Sequence, residues 1–424
     1  MARAIIHIDG DAFFSACEQA RDPRLKGRPV VTGKERGIAS SMSYEAKRAG
    51  VTRAMRLFEI RAVCPEAIIL PSDYELYSMI SKRFMAIVRR YTSIVEEYSI
   101  DECFADITGM DQPLGMSYEQ IARRIQSDLA RELDCTFSVG LAPTKVLAKV
   151  GSKWKKPNGF ALIEAHTIPR FLAELPLQSV WGIGGQTTAL LERHGIRTAL
   201  DFVNQPWSWI RTHLHKPFQE IWQELNGKSV LAIDCEEAPP QYSIQKVKTF
   251  TPPSCDRAYI FSQLSRNTEN ACIKARRHGR VAREVTFYLR TQDFHHFGVR
   301  AQLKAPTAFP NTIITVLKEL FDSLFRSRHL YRATGATLSK LTSVSAVQQD
   351  LFGEHTSVEK LTRLYTSVDT LDHKFGKHTV FVGASAKAQN HPQHRSARSD
   401  PSWRSTHLLK GETARQHVGL PLLK

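Results

Sequence analysis

Two short acidic stretches carry the strongest chemical signal in this chain. Asp9-Gly10-Asp11 follows directly on an apolar run, and Ser99-Ile100-Asp101-Glu102 lies far downstream. Brought together, three or four carboxylates would repel one another strongly unless cations neutralised them. Hard oxygen ligands of this kind suit Mg²⁺, which takes carboxylates together with substrate phosphate oxygens. Two such ions ~3.5–4 Å apart would serve phosphoryl transfer, one activating the attacking oxygen and the other stabilising the leaving one. A DxD triplet alone is a weak signal, because exposed turn carboxylates look the same. The elements around it must decide.

Residues 4–8, AIIHI, read as a buried strand that delivers Asp9 and Asp11 at its C-terminal tip. Leu76, Ile80, Phe84, Ile87 and Tyr91 recur at steps of four and three, which predicts an amphipathic helix over 75–91. Glu96 to Thr108 reads as two strands joined by a tight turn at Ser99–Glu102. Ser117-Tyr118-Glu119-Gln120 has capping-box spacing ahead of Ile121, Ile125, Leu129 and Leu133, and Thr136 to Leu141 is a further strand. That order predicts a ferredoxin-like sheet with helices on one face. The first strand is expected beside the strand entering the middle hairpin, which brings Asp9 to Asp101 and Glu102. Residues 23–72, rich in Arg, Lys and small side chains, are too long for a structureless loop and read as a small subdomain.

Residues 168–232 read as helical. Val180-Trp181-Gly182-Ile183-Gly184 precedes a helix-like stretch to Arg193, and a second helix starts near Thr198. A two-helix hairpin with this turn exposes backbone N–H groups where Gly182 and Gly184 let a phosphate approach; a plain helix corner is the alternative. Residues 236–242 resemble a linker. Helix-like 258–278, strand-like 285–290 and 299–303, and a helix over 310–326 make an α+β domain. Residues 386–424, rich in His, Arg, Ser and Pro without periodicity, read as a mostly disordered basic tail.

Composition narrows the class. Of 424 residues, 42% are hydrophobic and 24% charged, as in an ordinary globular protein. No apolar run approaches the ~18 residues of a membrane span, and the N-terminus turns acidic too soon for a signal peptide; a cytoplasmic protein is expected. The seven Cys residues stand singly, so neither a disulfide scaffold nor a structural zinc site is expected, and all seven read as buried apolar side chains. His295-His296 and the other scattered His residues lack partners at ligand spacing. The net charge is +16, and residues 241–347 hold 17 Lys/Arg against 6 Asp/Glu. Such a concentrated excess marks a polyanion-binding face, with nucleic acid the leading partner.

Five spaced segments, IIHIDGDAFFSACE, RPVV, SYEAKRAGV, YSIDECFADIT and SVGLAPTKVLAKVGSKWKKPNG, together resemble the Y-family of DNA polymerases. The pattern is closer to the bacterial polymerase IV branch than to the polymerase V catalytic subunit, although Val368 to Val382 resembles the polymerase V type of C-terminus. The motifs span roughly the first 160 residues in the family's order, and the helical hairpin and basic domain extend the likeness to about residue 385. The resemblance implies a multidomain α+β right hand: palm at 1–22 and 73–167, fingers at 23–72, thumb with helix-hairpin-helix at 168–235, linker at 236–242, little finger at 243–347, and a C-terminal extension at 348–385. It implies template-directed, low-fidelity, distributive DNA synthesis past damaged bases in a bacterial DNA-damage (SOS) response, without a proofreading exonuclease.

Position by position, Asp9 and Asp101 match the metal-holding carboxylates, with the Gly10 carbonyl as backbone ligand, and Glu102 matches the catalytic carboxylate; two Mg²⁺ are implied. Asp11 is expected to support the strand end. Phe14 matches the steric gate that leaves no room for a ribose 2′-hydroxyl, with Phe13 its structural neighbour. Ser41, Tyr44, Lys47, Arg48 and Lys156 match the triphosphate-binding set. The family commonly has Tyr-x-Ala-Arg-Lys where this chain has Tyr44-Glu45-Ala46-Lys47-Arg48, which leaves open which cation meets phosphate. Lys153 stands where an acidic residue commonly follows the Ser. Gly182, Gly184, Arg276, Arg277, Arg290 and Arg300 are the expected DNA contacts. Gln348-Gln349-Asp350-Leu351-Phe352 resembles the pentapeptide that binds a sliding clamp, with Leu351 and Phe352 filling an apolar pocket and Gln348 and Asp350 at its rim. The implied partners are primer-template DNA, deoxynucleoside triphosphates and the clamp, for a monomer associated with the nucleoid. Two other classes stay in view: an inactive DNA-damage adaptor, disfavoured by the presence of all three carboxylates, and a metal-dependent cyclase on the same palm, which would have no use for the hairpin and basic domain.

Overall fold

A computed structural model describes residues 3–236, 241–346, 355–375 and 378–390. The chain divides after residue 237 into two compact units.

The first unit is built on β1 (Ile5–Gly10), whose residues 5, 6 and 8 are fully buried. Both faces of this strand are covered. Ile6 and Ile8 enter one apolar cluster with Phe84, Ile121 and Phe137, while Ile5 enters another with Phe104 and Val146. A strand covered on both sides must be apolar at successive positions, which explains the unbroken run.

The insertion follows β1 and the helix Phe13–Arg21. It holds β2 (Val30–Thr32), β3 (Ser41–Met42) and β4 (Ile68–Leu70), in the order β3-β2-β4, and the helices Tyr44–Arg48 and Leu57–Val63. Its own cluster of Val31, Met42, Ala46, Val51 and Ile60 makes it a subdomain, as expected. The chain returns through the helix Tyr74–Val88, started by the Asp73 carboxylate accepting from the Leu76 N–H at 3.2 Å. Then come β5 (Val95–Glu97), β6 (Glu102–Asp106), the helix Tyr118–Leu133, β7 (Phe137–Ala142), the helix Lys145–Trp154 and β8 (Phe160–Leu162). The Ser117/Gln120 capping box forms as the spacing predicts.

The sheet order is β5-β6-β1-β7-β8, a ferredoxin-like arrangement with one added strand. One expectation is corrected: β1 lies beside β6, which leaves the hairpin, and not beside β5, which enters it. The helix Lys145–Trp154 lies backbone to backbone on β7. A Cβ at Gly140 would sit 2.0 Å from the Ala148 carbonyl oxygen, so only glycine allows this approach.

Helices between Ile168 and Leu225 complete the unit. Gly182 has φ +89° at the turn before the helix Gly185–Arg193, and a Cβ there would strike Ile221 at 2.6 Å. The next helix, Ala199–Val203, starts with a Thr198/Asp201 capping box.

The second unit is a four-stranded antiparallel sheet, β11-β10-β12-β9. Its strands are β9 (Ser243–Ser254), β10 (Arg280–Thr291), β11 (His296–Thr307) and β12 (Tyr331–Ser343). The helices Arg257–Arg277 and Pro310–Leu324 pack with one face through Ile260, Leu264, Ile313 and Leu317. Residues 355–375 and 378–390 add to this unit: the helix His355–Phe375, then the turn and short helix Gly383–Gln389. The expected tail therefore begins too early at 386. Ala388 is fully buried, its N–H donates to Ser262 Oγ at 2.9 Å, and Arg266 reaches Gln389 at 2.7 Å. The cysteines are also corrected in part, since Cys235 and Cys255 are exposed and the other five are buried.

Candidate active site

The β1–β6 register places Asp9 directly opposite Glu102, and facing residues of an antiparallel pair lie ~4.5–5.5 Å apart at Cα. The Gly10 N–H donates to the Asp101 carbonyl at 2.8 Å, locking the hairpin turn onto the strand end. The turn itself closes through the Ser99 N–H and the Glu102 carbonyl at 3.0 Å, while Ser99 Oγ donates to the Asp101 carboxylate. Asp9, Gly10, Asp101 and Glu102 thus share one end of the sheet.

Two of these carboxylates, Glu102 and Asp9, have cationic neighbours. Glu102 Oε2 accepts from Lys149 Nζ at 2.8 Å and from His7 Nε2 at 3.1 Å. Burial alone would raise the Glu102 pKa, but these hydrogen bonds and charges hold it down at about 2. Burial pushes the His7 pKa down, against the pull of Glu102. A neutral His7 donates from Nε2 to the carboxylate and accepts at Nδ1 from the Ser152 hydroxyl, 2.6 Å away. Asp9 pairs with Lys156; burial raises its pKa and Lys156 opposes that shift. Among the described residues, no three acidic, His or Cys side chains converge on a common point as they stand, because Asp9 and Glu102 are drawn to different lysines. The donor set, three carboxylates and a backbone carbonyl within one strand-and-turn, still matches a hard divalent cation.

Asp11 supports the strand end, as expected. It is 2% exposed, accepts from Ser138 Oγ at 2.8 Å and from the Asn158 N–H at 2.7 Å, and so ties the loop after Lys156 to β1.

Around the carboxylates stand the other expected residues. Phe13 is buried against Gly10, where a Cβ would meet its ring at 2.8 Å. Phe14 is half-buried, stacked on Tyr77 at 4.5 Å and edge-on to Tyr74 at 5.6 Å. Ser41 Oγ donates to the Ala12 carbonyl at 3.3 Å. Tyr44 lies near Asp11 and Asp9, and burial with those charges pushes its hydroxyl pKa up. Lys47 Nζ sits 4.1 Å from the centre of the Tyr44 ring; burial, then Lys156, pushes its pKa down. Arg48 does not join them. It is 77% exposed and lies 3.8 Å from Glu45, so of the reversed pair it is Lys47 that lies near Lys156, Asp11 and Asp9. Lys153 is packed near Lys149 and Lys156, and burial lowers its pKa ahead of those charges.

The expected DNA contacts separate into different surroundings. Gly182 and Gly184 flank the exposed hairpin turn of the first unit. In the second unit, Arg290 and Arg300 alternate with the buried Val285, Phe287 and Leu289 and their partners, and so project from the face opposite the helices. Arg277 is exposed at a helix end near Lys274 and Lys246. Arg276 is corrected: its guanidinium holds Asp369 through two hydrogen bonds of 2.7 Å, donates to the Ala308 carbonyl and stacks on Tyr365. It fastens the C-terminal helix to the sheet domain. Gln348, Asp350, Leu351 and Phe352 lie outside the described residues.

Sequence reasoning missed His7, Lys145 and Lys149. A histidine inside an otherwise apolar buried strand was one signal. The other was a pair of lysines four apart on the helix Lys145–Trp154, where nearly every position is buried. Both reach carboxylates: Lys145 Nζ bonds Glu96 at 2.6 Å and Lys149 bonds Glu102.

Comparison with known proteins supplies the family. The impB/mucB/samB family matches residues 8–153, its C-terminal domain matches 241–351, and the IMS family HHH motif matches 167–196. A DNA polymerase IV of Caulobacter vibrioides is 30% identical over 387 residues, covering 91% of this chain and 95% of its own. The chain belongs to the Y-family of DNA polymerases. A DNA polymerase IV of Streptococcus pyogenes serotype M2 is 32% identical over 358 residues, covering 82% of this Y-family chain and 97% of its own. Among solved structures, a Y-family polymerase chimera, Dbh-Dpo4(243-245)-Dbh, superposes with a TM-score of 0.67 at 24% identity, covering 80% of this chain and 99% of that one. That likeness is one of fold. It goes with a right-hand architecture of palm, fingers, thumb and little finger.

Proposed function

We propose that this chain is a DNA-directed DNA polymerase that performs low-fidelity translesion synthesis by two-metal nucleotidyl transfer. The observation that carries the reading is the register that sets Asp9 opposite Glu102, with Asp101 locked beside them and Lys156, Lys47 and Tyr44 around the same end of the sheet. Asp9, Asp101, Glu102 and the Gly10 carbonyl are the groups that would hold two Mg²⁺, which when bound supply charge neutralisation at the reacting oxygens.

The chain's own residues do the rest. Lys156, Lys47, Tyr44 and Ser41 receive the triphosphate, the lysines as point charges on its oxygens. Phe14, backed by Tyr77, lies under the nucleotide sugar and leaves no room for a 2′-oxygen. Glu102, ionised over the whole physiological range, sits where the primer 3′-hydroxyl attacks the α-phosphorus as pyrophosphate leaves. Gly182 and Gly184 offer backbone N–H groups to the DNA backbone, and Arg277, Arg290 and Arg300 meet duplex phosphates without reading sequence. Residues 348–352 bind the sliding clamp. The polymerase acts as a monomer in the bacterial cytoplasm, at the nucleoid.

Primer extension with Mg²⁺ tests this. Wild type should extend a primer past the template's first positions and the Asp101→Ala/Glu102→Ala variant should not. Equal extension by both would remove the catalytic assignment.

A further inference from the structure

The side chain behind Glu102 has no part in the scheme above. Lys149 is 7% exposed, and a desolvated ammonium needs compensation on every side. Its ion-pair partner is Glu102 Oε2, and its other neighbours are aromatic faces: Tyr98 at 4.3 Å, Trp181 at 5.1 Å and Phe104 at 5.8 Å to the ring centres. The rings are themselves tied together. Trp181 Nε1 donates to the Tyr98 hydroxyl at 3.1 Å, and Phe104 lies within 5.7 Å of both.

Two elements meet in this cluster. Glu102, Phe104 and Tyr98 belong to the palm hairpin, whereas Trp181 is the residue before Gly182, at the hairpin turn of the thumb. Both Lys149 and His7 take the same oxygen, Oε2, which leaves Oε1 without a hydrogen-bond partner among the described residues. One oxygen is held and the other is left to a cation. Hydrogen bonds of this kind, made from behind, orient a metal-holding side chain.

We propose that Lys149 is a positioning residue for Glu102, and that the Tyr98–Phe104–Trp181 cluster around its ammonium couples the seating of the thumb turn to the orientation of that carboxylate. The inference rests on the polymerase reading above. Displacing the turn moves Trp181, opens the aromatic cover over Lys149 and loosens Oε2, so the carboxylate is in position only when the thumb is.

The test compares wild type with Lys149→Met, which keeps the length of the stem and removes the charge, and with Tyr98→Leu, a change at a 42% exposed ring. Single-nucleotide insertion gives kcat and KM, and Mn²⁺ titration of the enzyme–DNA complex followed by electron paramagnetic resonance gives metal affinity. Lys149→Met should lower kcat by about 10–100-fold, the usual cost of losing such a partner, with nucleotide KM unchanged. Mn²⁺ should bind it more weakly, because the carboxylate that would hold the ion is no longer oriented. Tyr98→Leu should lower kcat in the same direction by less. A structural defect would also lower the melting temperature and raise the nucleotide KM, and that result, or a wild-type kcat in Lys149→Met, overturns the inference. Should wild type itself show no Mg²⁺-dependent insertion, the polymerase reading falls and takes this one with it. A lowered kcat in Lys149→Met with full activity in Tyr98→Leu removes only the coupling.

Discussion

Replacing Phe14 by alanine should open this polymerase to ribonucleotides. The ring is held from behind rather than free to swing. It stacks on Tyr77 with planes 9° apart, and Tyr77 is fully buried with its hydroxyl donating to Glu18 at 2.7 Å. A 2′-oxygen pressed against so constrained a ring is an overpacking problem, which costs about 1–3 kcal/mol. At 1.36 kcal/mol per factor of ten, that is about 5–150-fold discrimination supplied by this side chain. Phe14→Ala should therefore raise the ratio of ribonucleotide to deoxynucleotide kcat/KM by about that factor, while deoxynucleotide insertion changes far less. Truncation also forfeits the stack on Tyr77, worth about 0.5–1.5 kcal/mol of stability, so thermal melting checks that the variant is folded. Steady-state insertion opposite one template base, with each nucleotide type in turn, measures the ratio. An unchanged ratio in a folded variant would refute the argument.

Three further outcomes follow from the same structure. Asp369→Ala strips a partly buried Arg276 of its carboxylate, and losing hydrogen bonds to a charged group costs about 1.5–3 kcal/mol; calorimetry should show the little-finger transition at lower temperature, and an unmoved transition would deny the extension its bracing role. Arg290→Ala or Arg300→Ala should each weaken duplex binding equally across sequences and flatten the log–log salt dependence by about one; a sequence-dependent loss in fluorescence anisotropy would contradict backbone contact. Deleting residues 348–352 should abolish clamp-stimulated extension and spare basal extension, and retained stimulation would dismiss the motif.

Much of the palm was readable because its signals are local. The apolar run before Asp9, the Ser117 capping box and the helical spacing from Leu76 each dictate one element, and short connections leave few ways to assemble them. The strand beside β1 was misplaced because pairing order is a tertiary property. The little-finger strands β9 and β12 escaped notice for a different reason. One face of that sheet is open, so β9 alternates buried Ile244 with exposed Gln245 and Val247 and carries Pro252 and Pro253, while β12 holds Gly335 under the Tyr288 ring. At the site, residue types named the carboxylates and the family likeness named Phe14 and Tyr44. The lysines behind the carboxylates were invisible because a basic residue in a basic chain announces nothing until its burial is known. Order at residues 386–390 was missed likewise, since Ala388 and Gln389 are anchored by side chains of the helix Arg257–Arg277 rather than by any pattern of their own.

The central claim is that Asp9, Asp101 and Glu102 together hold the divalent cations beside the incoming triphosphate. Anomalous diffraction from crystals of the polymerase with primer-template DNA, a non-hydrolysable nucleotide and Mn²⁺ tests it most directly. The account predicts two anomalous peaks ~3.5–4 Å apart, bounded by these three carboxylates and the Gly10 carbonyl. Peaks that lie elsewhere, or none beside Asp9 and Glu102 with nucleotide bound, would contradict it.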